Sequence, residues 1–595
     1  MNSKKIVLSL ATISFLASYA NATLTPEIKT YDEVNKNTKA RSVASVYSPQ
    51  ARTNTTINSL HNQQVTITGS GSHSLIIETG GTLQPQDKNK VIYINGQNSN
   101  TLTLTNLTNK GTIDGQVAVE NSNDSFTGTI TVNTFENKGQ IIGQIYMEIW
   151  AGKGTINVDK FDNSGTMVGN DRGVYFQGNT NIKSFTNSGL ISGSQGVSLS
   201  GGTINSFNNL GTINGNSSGV FVASGNIKTL VNSGVIISSG NHSDHAGIKL
   251  ESGGAIENII NTGTIQSNYT GIVVTYGKFG TLTIKDGGVV YGKYIGIGVG
   301  QWQTLGDLYI DGTSSKKDGT VSGIYSDNYG ISLETGSSAQ KIELKNGGII
   351  KGSVHGIRLI NSASLSGEMI LSGEGSRVEG GSGAGISNSN GKITGSIKVE
   401  DGATVTSSSG QAISNSGSGS ITGGITVSGE NTKLEGNIIN TGNASIGSDI
   451  KIEGGAKVEG GLVNQGNGSI SGSVQVSGGS SIDSITNTGN GAISGSITVD
   501  KDSKLDSITN TSTSDTGISG SITNNSDNKL EISNSGNIGG KIESTGSADM
   551  VISNSNGGTI SGGISSSGSG NTSISNSQGS TINNGITVSG SAQVE

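Results

Sequence analysis

Apolar and polar residues alternate along this chain in short bursts, and the bursts end on Asn or Gly. Phe135, Asn137, Gly139, Ile141 and Gly143 stand two apart. The phrase returns from Phe161 (Asn163, Gly165, Met167, Gly169), from Phe185 (Asn187, Gly189, Ile191, Gly193) and from Phe207 (Asn209, Gly211, Ile213, Gly215). Weaker copies start at Leu107, Leu230 and Ile259. The Asn positions are Asn109, Asn137, Asn163, Asn187, Asn209, Asn232 and Asn261, separated by 22 to 29 residues. A step of two predicts strands whose alternate residues face one side. A period of this length predicts a solenoid, each copy one coil stacked on the last.

Each coil carries a second phrase, Gly followed by two apolar residues with one between. Examples are Gly173-Val-Tyr-Phe176, Gly196-Val-Ser-Leu199, Gly219-Val-Phe-Val222, Gly330-Ile-Ser-Leu333 and Gly356-Ile-Arg-Leu359. Two or three short strands per coil predict an all-β fold, a single-stranded parallel β-helix with Ile, Val and Leu inside and Ser, Thr and Lys outside. Glycine is expected to carry the chain through positive φ at the corners. From 386 the phrase becomes Ile-x-Asn, then Gly-x-Ile-x-Gly-x-Ile-x-Val, with good copies at Asn464 and Asn487. Residues 330 to 595 hold no Phe, Tyr or Trp, so this half is expected to have a thin aliphatic core. Counting periods gives 19–22 coils in all. At ~4.8 Å per coil that is a rod of roughly 90–100 Å.

The expected organisation has four parts. Residues 1–22 read as a secretory signal: Lys4 and Lys5, the apolar run Ile6 to Ala17, then Ala20-Asn21-Ala22 as a cleavage site. Residues 23–64 are polar, carry Pro26 and Pro49, and read as an extended or disordered leader. Residues 65–385 form the first half of the β-helix, with aromatic-rich irregular coils at 269–329 and an extra segment from Lys293 to Lys317. Residues 386–595 form the second half.

Composition narrows the function. The chain of 595 residues has 96 Gly, only 3 Pro and no Cys, so neither collagen nor a disulfide scaffold is in play. Its formal charge is −7, which argues against nucleic acid as a partner. No run approaches the ~18 apolar residues of a membrane-spanning helix.

The recurring Asn residues read as an internal ladder, each amide bonding the one a coil away. Nine aromatic residues crowd positions 269–329. Of these Tyr276, Tyr291, Tyr294, Trp302 and Tyr309 are the candidates for ligand binding. The bland alternative is that they are larger core and edge residues. His242, Asp244 and His245 are close in sequence, but the histidines fall at a coil corner and read as exposed turn residues rather than metal ligands. Gly215-Asn-Ser217-Ser-Gly219 matches a nucleophile elbow, a chance event in a chain this rich in Gly and Ser. Carboxylates do not recur at the coil period as a polysaccharide-cleaving β-helix would want. No catalytic residue, metal or cofactor is expected.

The signal, the Cys-free Gly/Asn/Ser-rich coils and the Asn-x-Gly-x-Ile phrase resemble the passenger domains of autotransporters, the type V secretion proteins of Gram-negative bacteria. The resemblance implies a right-handed parallel β-helix displayed at the cell surface or released. It also implies a role as an adhesin for host glycans, host proteins or other bacterial cells. It implies an outer-membrane β-barrel translocator as partner. Such a barrel needs aromatic girdles, which residues 330–595 lack, so the translocator is expected in cis beyond this sequence or in trans. The readings from other classes are a polysaccharide-degrading enzyme on the same fold and a purely structural stalk.

Overall fold

The computed structural model describes residues 54–96, 101–121, 126–149, 153–316, 318–589 and 593–594. The expected signal and the leader up to residue 53 lie outside them. Among the described residues there is no helix, and every strand pairing is parallel. The strands stack into a β-solenoid of about 21 turns. At ~4.8 Å per turn the stack is about 100 Å long. One sheet has 28 strands, a second has 33 and a third has 3.

In the first half a coil has three sides. A long strand such as Thr155–Asn163 lies in the first sheet, and a short one such as Thr166–Val168 lies in the second. A third strand, such as Arg172–Gln177, also joins the second sheet. Alternation sends Ile156, Val158 and Phe161 into one continuous core. The phenylalanines of the phrase stack along the axis. Ring centroids are 4.4 Å apart for Phe135 and Phe161, 4.8 Å for Phe161 and Phe185, and 4.5 Å for Phe185 and Phe207. Each buried ring or aliphatic side chain contributes about 1.5–3 kcal/mol before chain entropy is subtracted.

The recurring Asn residues are buried and in register. Asn109 Nδ2 donates to Asn137 Oδ1 at 2.7 Å, and the chain of amides runs on through Asn163, Asn187, Asn209 and Asn232 to Asn261 at 2.7–2.9 Å. There it stops, because the residue above Asn261 is Ile284. The same column continues as Ile310, Leu344, Leu371 and Val399. A second run of amides starts at Asn388 and passes through Asn415, Asn440, Asn464, Asn487, Asn510, Asn534 and Asn554 to Asn576 at 2.8–3.0 Å. It lies in the second sheet, above Leu333 and Leu359. The two sets of Asn therefore form two ladders in different columns. Through most of the stack, where one column carries amides the other carries apolar side chains, Phe176 among them. In the last coils Asn524, Ser544 and Ser566 stand in the first column beside the second ladder.

Three expectations are corrected. Among the described residues the first strands are Asn54–Ile57 and Leu60–His61, inside the expected leader, because one inward residue in a four-residue strand is too short a signal to read. The segment from Lys293 is not an insertion. Ile295–Val299 and Thr304–Asp311 are regular strands in register, and the extra length lies between Asp311 and Gly323. The third concerns glycine: many turn glycines stand at positive φ, as expected, but Gly139, Gly165, Gly189 and Gly211 of the phrase do not. A Cβ on Gly165 or Gly189 would stand 2.0 Å from the carbonyl oxygen of the glycine one coil below. A Cβ on Gly173 or Gly196 would stand 2.6 Å from an Ile Cγ2 of the core. These glycines serve close stacking, whereas the left-handed glycines sit at other turns, such as Gly253 and Gly336.

Candidate binding surface

Gly300 to Gln303 make a tight turn between the third strand of one coil and the first of the next. Gln303 N–H donates to Gly300 C=O at 3.1 Å. Trp302 is the third residue of that turn, at φ +63°. A turn of this kind wants Gly or Asn there, since a side chain in the left-handed region costs about 1–2 kcal/mol. Trp302 is nevertheless 72% exposed. On the next coil the matching turn has Gly336 in this place, at φ +67°. A Cβ on Gly336 would meet Cε3, Cζ3 and Cδ2 of Trp302 at 2.3, 2.4 and 2.8 Å. The glycine is the seat of the indole, and the backbone N–H of Trp302 ties its turn to the next by donating to Thr335 C=O at 3.1 Å.

Tyr276 occupies the same corner one coil earlier. It lies two residues before Lys278, which pairs with Thr304, two residues after Trp302. It is 63% exposed. Exposed aromatic rings on adjacent coils, one of them held in a strained turn, make this corner the candidate site.

The other three candidates do not join them. Tyr294 is 43% exposed and stacks on Tyr269, ring centroids 4.6 Å apart, at the corner between the two strands of the second sheet. Tyr291 lies beside it, half-buried, its hydroxyl donating to Asp327 at 3.2 Å. Burial, then the Asp327 carboxylate, pushes that hydroxyl's pKa up. Tyr309 is on the first sheet, with its hydroxyl on Asp307 at 3.2 Å and Lys341 Nζ 5.3 Å from its ring centre. Burial and Asp307 raise its pKa as well. The five residues thus fall in three places around the coil. The Asn positions named above lie in the core, with no open surface of their own, except Asn576, which is exposed at the end of its run.

Sequence reading missed an open depression of about 520 Å³ beside Tyr309. Asp307, Gln340, Lys341, Ser366, Gly367 and Glu368 line it, drawn from three successive coils. No motif announces it, since its residues belong to no phrase. Lys398 holds Glu368 at 2.6 Å and, with Ser396, keeps that carboxyl below its usual pKa. Among the described residues no group of three or more His, Cys, Asp or Glu is placed to hold a metal. The His242 and His245 rings are 5.5 Å apart, and Asp244 is taken by Lys249 at 2.6 Å.

No family model, no curated protein and no solved structure matches this chain.

Proposed function

We propose that this protein is an exported β-solenoid passenger, displayed at a bacterial surface or released, that acts as an adhesin. The stack of coils is the rod, and the Tyr276–Trp302 corner is the contact. A β-barrel translocator, in cis or in trans, is the expected export partner. The observation that carries the reading is Trp302. A large ring is kept in solvent, in a turn that favours glycine, at the expense of stability. Core packing gives no reason for that, and contact with another surface does. Attachment through one shallow corner is weak per molecule and gains strength from display density.

The enzyme reading would need a carboxyl group that keeps its proton at working pH. The depression offers Asp307 and Glu368, and Lys398 drives Glu368 toward the charged form. That favours attachment over hydrolysis.

The test is display of the chain, fused to a β-barrel, on a non-adherent bacterium. Attachment to host cells above that of the barrel alone supports the adhesin. Attachment equal to the barrel alone removes it.

A further inference from the structure

We infer that the Tyr276–Trp302 corner binds a glycan, laid along the rod axis with a sugar ring on the indole; the inference rests on the adhesin reading. Three observations separate a glycan from a protein partner.

The first is size. At about 200–250 Å² per aromatic residue, exposures of 72% for Trp302 and 63% for Tyr276 leave roughly 300 Å² of aromatic surface. A stable protein interface takes about 800 Å² from each side. The corner is too small for the core of such an interface, but one or two pyranose rings fit it.

The second is how the indole is held. Gly336 takes up one side of the ring, so the open side is a fixed platform rather than a swinging side chain. The negative face of an aromatic ring attracts the slightly positive C–H groups of a sugar's apolar face. Tyr276, one coil back, places a second ring about 4.8 Å away along the axis at the backbone. That direction sets the run of the chain.

The third is the polar surround. Gln301, Thr304, Asn361 and Ser362 are exposed around the two rings and carry amides or hydroxyls. The nearest carboxylate, Glu334, is paired with Arg358 at 3.1 Å. Amides and hydroxyls match the hydroxyls of a sugar. Lys278, exposed two residues after Tyr276 and beside Thr304 in register, has no ion pair among the described residues, so the corner also offers one cation, while the chain's net charge of −7 works against a heavily anionic chain.

The experiment uses the displayed chain and, in parallel, the exported chain in solution. Target cells are treated with periodate, which cleaves sugar diols, or with protease. The purified protein is titrated with soluble glucose and N-acetylglucosamine oligosaccharides of several residues. Tryptophan emission is the readout, in a Trp150→Phe background that leaves Trp302 as the only indole. The expected result is a tenfold or greater loss of attachment after periodate, matched by Trp302→Ala, and an emission shift on titration. Trp302→Gly, which relieves the turn, guards against misfolding as the cause of the loss. Attachment that needs Trp302 but survives periodate and fails after protease overturns the glycan in favour of a protein. Attachment indifferent to Trp302 overturns the corner while leaving the adhesin standing. Absence of attachment by the unaltered chain removes the adhesin itself.

Discussion

The indole of Trp302 covers Gly336 one coil further on, and each residue stands at the left-handed position of its own turn. The pair separates stability from function. Trp302→Gly removes the strain of a bulky side chain at φ +63°, about 1–2 kcal/mol. Against that stands about 0.5–1 kcal/mol of added chain entropy in the unfolded state. The variant is expected to melt at or slightly above the parent temperature while attachment falls to the level of the barrel alone. A melting point several degrees lower would show that the indole is there to pack.

The ladders make a second prediction, about position within a run. Asn187→Leu leaves Asn163 Nδ2 without its Asn acceptor and Asn209 Oδ1 without its donor. Asn163 Nδ2 keeps Leu190 C=O at 3.1 Å, but the buried Asn209 Oδ1 is stranded, at about 1–3 kcal/mol. Asn261→Ile sits at the end of the run, under Ile284, where no further Asn oxygen depends on it, and Asn232 Nδ2 keeps Thr264 C=O at 3.2 Å. Hydrogen exchange of the coils around each site should therefore speed up more for Asn187→Leu than for Asn261→Ile. Equal effects would mean that the amide chain adds nothing beyond filling volume.

Much of this architecture is legible in residues such as Phe185, Asn187 and Gly189, because each does a different job at a fixed offset. Phe185 fills the core, Asn187 bonds along the axis, and Gly189 lets two backbones touch. The phase of the phrase around the coil is not legible. Asn261 and Asn388 look alike in sequence, yet one closes a strand of the first sheet and the other a strand of the second. A period fixes the rise per coil but not which side of the coil a residue occupies. The turn at Trp302 was hidden for a different reason. Turn chemistry is read from Gly, Asn and Pro, and here the residue in the glycine place is the bulkiest of all.

The corrected role of the phrase glycines gives a third prediction. Gly189→Ala puts a methyl 2.0 Å from the Gly165 carbonyl oxygen, and everything it meets, at Ser164 and Gly165, is backbone that cannot swing aside. Gly253→Ala meets no atom within 4 Å and suffers only from φ +86°. The second change is expected to cost about 1–2 kcal/mol, and the first more, with protease cutting near residues 165–190 in otherwise intact rods. If Gly253→Ala proves the worse of the two, conformational freedom and not contact is what the phrase glycine supplies.

Acid should loosen one coil contact before the rest. Asp311 faces the next coil. Thr313 N–H donates to its carboxylate at 2.9 Å, Asn346 Nδ2 at 3.2 Å, and Lys345 lies 3.4 Å away. Burial opposes ionisation, but these donors outweigh it and bring the pKa from 3.8 down to about 2. A carboxyl depressed on folding stabilises the fold above its unfolded pKa, and that help is lost as pH falls through the folded value. The window is therefore between about pH 4 and pH 2. The group is only partly buried, so solvent screens the effect and its size is small. Asp311→Asn cannot titrate. Its coil should exchange amide hydrogens faster than the parent's at pH 7 and at the same rate as the parent's near pH 2. A parent coil whose exchange protection, corrected for intrinsic rate, stays constant from pH 7 to pH 2 would show that this carboxylate does not couple the two coils.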